Sequence, residues 1–322
     1  MKIDAENISV VQVLLVYYCN LGCNYCYQDF QHDIGVKKMS VDTFSKILSK
    51  FQDKKIDLNL FWGEPLLNTE IIDFMLSLEF SLPKNVEILS INTNGVLMDK
   101  KFVQFTNKFR DIIHIDLSLD GNKENHDYYR RTLWGKPTYD DIVKKISQFK
   151  DLSFFTVNFC VSPFTADKLF EGIKSLYNLG FRKVKTIFLY EQPWSDSDFK
   201  NLIAEFYKLK AFQKYMDISL FHTKTKNPNE CREDFLKNYT FLPSGEIIPC
   251  LVWLSKKLSK VPYVPPLKLE KIAEKETYLD NNIFWNKELW TIMSQGAICE
   301  NIQGWIFQKN QLKIERMLSK IF

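Results

Sequence analysis

Long hydrophobic runs are missing from this sequence. No stretch approaches the about 18 apolar residues that a membrane-spanning helix needs, so no membrane partner is expected. Glycine and proline are sparse, with 11 of each in 322 residues, which excludes a collagenous or low-complexity chain. Charge of one sign is also lacking, since 43 basic and 39 acidic side chains leave a net charge of +4. That balance gives no reason to expect a polyanionic partner. The short run Lys256-Lys257-Leu258-Ser259-Lys260 reads as a solvated face rather than a nucleic-acid contact. The opening residues Met1 to Asn7 include Asp4 and Glu6 and no basic n-region, so they do not form a secretory signal and a cytoplasmic protein is expected.

Aromatic residues, by contrast, are plentiful at 15%, with 26 Phe, enough for a large core. Seven cysteines are present: Cys19, Cys23, Cys26, Cys160, Cys231, Cys250 and Cys299. An odd number with three crowded near the N-terminus does not suit a secreted disulfide framework. Clustered thiols in a reducing compartment point instead to metal or redox chemistry.

Up to about residue 215 the apolar pattern alternates strand and helix. Strands are expected at 9–17, 57–62, 86–92, 112–119, 153–161 and 183–190, and helices near 40–52, 68–80, 99–109, 137–149, 164–178 and 195–214. Ser40 and Thr138 stand where helix N-caps belong, and Leu179-Gly180 where a helix stops. Several strands are apolar on both faces, the mark of a parallel sheet covered by helices. The expected fold class is α/β, a partial (β/α)6 parallel barrel over residues 1–215. In such barrels the chemistry lies at the C-terminal strand ends. From 216 to 322 the rhythm breaks and Pro228, Pro243, Pro249, Pro262, Pro265 and Pro266 accumulate. A smaller C-terminal module is expected there, with a hairpin at 239–251 turning at Pro243-Ser244-Gly245-Glu246 and terminal helices near 280–294 and 304–321.

The central feature is Cys19-Asn20-Leu21-Gly22-Cys23-Asn24-Tyr25-Cys26, directly after the first strand. Three thiolates on one short loop can hold three irons of a [4Fe–4S] cube and leave the fourth open to a small molecule. Zinc is the alternative, with His32 as fourth ligand. Structural zinc sites usually pair two short knuckles, and no second knuckle is seen.

C-x3-C-x-aromatic-C at this place resembles the signature of the radical S-adenosylmethionine (SAM) enzymes. The likeness continues at successive strand ends. Phe61-Trp62-Gly63-Glu64-Pro65-Leu66-Leu67 is similar to the family's G-G-E-P-L-L segment, with Trp62 where a first glycine is usual. Asn92-Thr93-Asn94-Gly95 resembles its T-N-G segment. Leu117-Ser118-Leu119-Asp120-Gly121, followed by His126-Asp127-Tyr128-Tyr129-Arg130-Arg131, resembles the subgroup whose tail is a SPASM or shortened twitch module. The resemblance implies a cluster on Cys19, Cys23 and Cys26 and a SAM site drawn from Tyr25, Gly63, Glu64, Asn94, Ser118 and Arg130. Within it Gly63-Glu64 would take the methionyl amino group, Ser118 and Arg130 the ribose and carboxylate, and the backbone at Tyr25 the adenine. Trp62 would crowd or re-aim the loop beside the methionine. It also implies reductive cleavage of SAM to a 5′-deoxyadenosyl radical that takes a hydrogen atom from the substrate.

Cys231, Cys250 and Cys299 fit a reduced, twitch or SPASM-like iron–sulfur module holding one auxiliary cluster. Cys250 or Cys299 could instead donate a hydrogen atom to a substrate radical, as in peptide epimerases of the superfamily. Cys160, in mid-strand, reads as a core residue. The HDYYRR stretch and the tail resemble the peptide-maturing branch, which implies oxidation, crosslinking or epimerisation of a residue in a ribosomally made peptide. Small-molecule chemistry on a sugar or cyclitol, and a non-catalytic iron–sulfur or zinc regulator, are the competing readings. A reductant such as flavodoxin or ferredoxin is implied. With the first strand at residue 9, peptide recognition is expected from the tail, the barrel rim or a separate protein.

Overall fold

The computed structural model describes residues 9–26, 28, 35–189, 192–215, 217–222, 238–248, 313–314 and 316–319. Strands β1 (Ser9–Val13), β2 (Ile56–Leu60), β3 (Val86–Thr93), β4 (Ile113–Ser118), β5 (Phe155–Val161), β6 (Lys183–Phe188) and β7 (Ser219–His222) lie side by side in chain order, all parallel. β8 (Asn238–Phe241) adds parallel to the free side of β1, and β9 (Ile247–Ile248) pairs antiparallel with β8. The sheet is the mostly parallel α/β sheet expected.

The six expected strands are present, and the seventh, β7, was not foreseen. Its four residues are too few to display a period. The expected hairpin turns at Leu242–Glu246, where Leu242 N donates to Glu246 O at 2.8 Å. Residues 249–251, and the helix expected near 280–294, lie outside the described residues. Part of the 304–321 segment is described and is helical at 313–314 and 316–319.

Helices α1 (Val41–Ser49), α2 (Thr69–Leu76), α3 (Lys100–Lys108), α5 (Tyr139–Ile146), α6 (Leu169–Asn178) and α7 (Asp196–Gln213) fall within the expected spans. Their apolar faces, for example Phe44, Ile47 and Leu48 on α1, meet every second strand residue in one continuous core. Ser40 caps α1 as expected, its Oγ accepting from Thr43 N. Thr138 stands at the N-cap of α5 but makes no side-chain cap. Asp127 Oδ1 does that work, accepting from Thr138 N and Tyr139 N at 3.0 Å each. This leaves the Thr138 hydroxyl free to bond His126 and Arg130. Asp127 and His126 belong to α4 (Lys123–Tyr129), a short helix without an apolar stripe that the periodicity could not reveal.

The other sheet face is polar. Thr240 Oγ1 donates to Gln12, Asn92 Nδ2 to Asn59, and Asn158 Nδ2 to Asn92. Asn92 on β3 and Asn158 on β5 meet across the intervening β4, at 3.5 Å. Only a sheet that curls toward this face can bring them together.

Candidate active site

The cysteine loop leaves β1 and hangs on the chain that follows α4. Gly22 N donates to Arg131 O at 2.9 Å, Asn24 N to Tyr129 O at 3.1 Å, and Leu21 bridges Thr132. Cys26 N closes a turn on Cys23 O at 3.0 Å. Cys19, Cys23 and Cys26 are in no disulfide and each is half-buried. Burial above all, with a smaller contribution from neighbouring cysteines, pushes the Cys19 thiol up to about 12 and the Cys23 thiol up to about 11.

The second strand end meets the same loop. Gly63 has φ 58°, and a Cβ there would lie 2.2 Å from Tyr18 O, so no side chain fits. Gly63 N donates to Gln28 Oε1, and Glu64 N to Tyr18 O. The Glu64 carboxylate is buried and turned inward. Oε1 accepts from Thr93 Oγ1 at 2.8 Å and Leu66 N at 3.1 Å, and Oε2 accepts from Asn94 N at 2.7 Å. Burial raises its pKa to about 7. Glu64 therefore ties the end of β2 to the end of β3. Asn94 extends that tie to the thiols, its Nδ2 lying 2.8 Å from Asn20 Oδ1 and 3.7 Å from Cys19 Sγ.

Trp62 has φ 76°, a conformation that costs a bulky residue about 1–3 kcal/mol. Its side chain is buried among Leu14, Tyr17, Leu242 and Ile248. Burial of so large a ring is worth about 5 kcal/mol, so packing prevails over strain.

On the far side of the loop, Arg130 is buried with its Nε 2.8 Å from Asp120 Oδ2 and its Nη2 3.2 Å from Asp120 Oδ1. The fork assigned to a SAM carboxylate thus holds a carboxylate of the chain itself. Tyr25, whose backbone was assigned to adenine, donates its hydroxyl to Asp120 Oδ2 at 2.7 Å and lies under the Arg130 guanidinium. Ser118 sits half-buried at the end of β4, in register with Asn158. Cys160 is buried as expected, but among polar groups. Its N donates to Asp120 Oδ1 at 2.9 Å and its Sγ lies 3.7 Å from Arg130 Nη2. Asp120 and Cys160 were not singled out as site residues. The phase of β5, in which Thr156, Asn158 and Cys160 share a face, is the signal that could have placed Cys160, but burial of every β5 residue masks it. Cys231, Cys250 and Cys299 lie outside the described residues.

The donor set fits an iron–sulfur cube better than a single ion. A cube takes one thiol per iron, and three thiols lie on one short loop. His32 lies outside the described residues. At Gly63 the place of a Cβ is taken by Tyr18 O, so the end of β2 closes directly on the backbone that leads into Cys19.

Residues 13–165 match the Radical SAM superfamily. The chain carries a radical SAM domain. It includes every proposed SAM contact and the three clustered thiols. A probable GTP 3′,8-cyclase of Methanococcus maripaludis is 33% identical over 109 residues, which cover 32% of this chain and 33% of that protein. A cysteine-type anaerobic sulfatase-maturating enzyme of Clostridium perfringens is 28% identical over 142 residues, 41% of this chain and 38% of that enzyme. These alignments span about a third of the first relative and 38% of the second. Among solved structures, native anSMEcpe with bound AdoMet and Cp18Cys peptide superposes with a TM-score of 0.68 over 97% of this chain and 98% of that one, at 16% identity. That likeness establishes the fold of the radical SAM domain as a partial barrel. No helix of the described residues is long and apolar enough to cross a membrane.

Proposed function

We propose that this protein is a radical SAM enzyme that modifies a residue of a ribosomally made peptide by oxidation, crosslinking or epimerisation. The observation that supports this most is the joining of four strand ends at one site. The Cys19 loop meets Asn94, Asn94 meets Glu64, and Asp120 meets Tyr25 of the same loop. In this reading Cys19, Cys23 and Cys26 hold a [4Fe–4S] cluster, with Tyr25, Gly63, Glu64, Asn94, Ser118 and Arg130 around SAM. The bound group supplies reductive cleavage of SAM and a 5′-deoxyadenosyl radical that removes a hydrogen atom from the substrate. The chain's own part is to position and enclose. Glu64 clamps two strand ends, the Gly63 backbone lies against Tyr18, and the Asp120–Arg130 pair braces the loop through Tyr25.

Residues 1–215 would form the barrel and 216–322 a twitch or SPASM-like module. Cys231, Cys250 and Cys299 would serve one auxiliary cluster, or Cys250 or Cys299 a hydrogen-atom donation. A flavodoxin or ferredoxin would supply the electron, and a separate protein could present the peptide. Peptide chemistry is supported by the likeness to native anSMEcpe solved with the Cp18Cys peptide and to a relative named as a sulfatase-maturating enzyme. A small-molecule substrate is favoured instead by the relative named as a GTP cyclase.

The test is anaerobic reconstitution followed by dithionite reduction with SAM. 5′-Deoxyadenosine should form, and should vanish when Cys19, Cys23 and Cys26 are replaced by Ala. Persistent formation would sink the assignment. Mass spectrometry of short peptides encoded beside this gene, coexpressed with it, separates the two substrate readings. An unmodified peptide together with turnover of GTP would favour the small-molecule one.

A further inference from the structure

Trp62 is the one non-glycine among the described residues with φ in the left-handed region. A glycine would adopt this conformation freely, so the tryptophan must be held in it by what surrounds it. The apolar cluster that buries it draws on two segments. Leu14 and Tyr17 lie on the segment that leads from β1 to Cys19, while Leu242 and Ile248 lie on the β8–β9 hairpin. This group is separate from the main core, in which nearly all the other buried aromatics take part. The same segments are joined through the backbone, with Leu14 N donating to Phe241 O at 3.0 Å. On its other side Trp62 is bonded directly to Gly63, whose α-carbon faces Tyr18 O.

We propose that Trp62 is a positioning residue that locks the β8–β9 hairpin to the Gly63–Glu64 backbone, so that the seating of the hairpin sets the affinity of the loop for SAM. The inference rests on the reading of this loop as part of a SAM site. A ring wedged between hairpin and loop fixes both. When the hairpin side of this cluster is removed, Trp62 loses part of what holds it in its strained conformation, and the peptide at Gly63 shifts with it. The β8–β9 hairpin is thereby coupled to the cofactor pocket through Trp62.

The coupling is tested on the full chain, reconstituted anaerobically, with SAM itself as the probe. Leu242→Ala and Ile248→Ala alter the hairpin only. Both should keep the iron content of the parent and weaken SAM binding by about 5- to 20-fold in calorimetric titration. The SAM-induced change in the electron paramagnetic resonance spectrum of the reduced cluster should need correspondingly more SAM. Trp62→Gly should weaken binding to the same degree, and adding Ile248→Ala to it should cost nothing more. SAM affinity within twofold of the parent in the hairpin variants, or undiminished in Trp62→Gly, overturns the proposal. A parent that binds no SAM removes the cofactor reading instead. Amide exchange of the milder Ile248→Val variant then decides the coupling, since unchanged protection across residues 61–67 overturns it and faster exchange there supports it.

Discussion

Asp120 holds Arg130 by both oxygens, Oδ2 on Nε at 2.8 Å and Oδ1 on Nη2 at 3.2 Å, in a place almost closed to water. The same carboxylate accepts from the Tyr25 hydroxyl and from Cys160 N, so one side chain joins the cysteine loop, β5 and the segment after α4.

Replacing Asp120 by Asn leaves a buried guanidinium facing an amide that donates where an acceptor is needed. Breaking one side of a buried pair costs about 3–5 kcal/mol. Urea unfolding of the apoprotein should register a loss of about this size. Asp120→Asn/Arg130→Met, which removes both charges, should regain part of it, and a double variant no more stable than the single one would contradict the pairing.

His126 gives a pH dependence of defined sign. Its Nδ1 accepts from Asp120 N, so Nε2 must donate to Thr138 Oγ1, which donates in turn to Arg130 O. Burial lowers its pKa from 6.5 to about 4. The unfolded chain takes up a proton below pH 6.5 and the folded chain refuses it until about pH 4. Stability from this group is therefore full above 6.5 and falls on acidification, by about 3 kcal/mol at the lower end. Glu64 acts in the opposite sense below pH 7, because the folded chain protonates it first. The difference between parent and His126→Gln in urea midpoints from pH 4 to 7 isolates the histidine. The parent should lose more stability than the variant as pH falls, and parallel curves would refute the assignment.

Gly63→Ala forces a Cβ to 2.2 Å from Tyr18 O at a φ that L-residues rarely adopt. The loop must move. A loss of about 2 kcal/mol or more in thermal unfolding is expected. Release of 5′-deoxyadenosine should drop at least about 100-fold, since a shift of about 1 Å near the chemistry costs that much.

Cys160 and Cys23 both approach Arg130, but only Cys23 belongs to the cysteine loop proposed to hold a cluster. Cys160→Ala should keep the iron of the SAM-site cluster and lower stability by about 1 kcal/mol. Cys23→Ala should lose that iron altogether. Iron and sulfide assays on the two variants distinguish the roles, and loss of iron in Cys160→Ala would make it a ligand or a direct support of one.

The strands were legible because parallel strands covered by helices are written as short apolar runs, as in Val10 to Val16 and Phe154 to Val161. The thiol loop and the strand-end segments were legible as residues, but not in their partnerships. Spacing cannot tell that Glu64 would spend both oxygens on Thr93, Leu66 and Asn94, or that Arg130 would face Asp120. Those choices depend on which strand ends adjoin after the sheet curls. The cap of α5 escaped for the same reason, since Asp127 reaches it from another helix. Trp62 was visible as a departure from pattern, while its compensation lies on a hairpin far along the chain.

The pairing of β8 with β1 has a consequence for the order of assembly. Gln12 and Thr240, joined by a side-chain hydrogen bond, are 228 residues apart in sequence. On the ribosome, at about 5–20 residues per second, β1 therefore waits roughly 10–45 s for its second neighbour. Throughout that interval the strand that leads into the cysteine loop is an open edge, able to pair with another nascent chain. Metal loading that precedes completion of the chain would act on a half-bordered strand, whereas loading after release meets a sheet closed on both sides of β1.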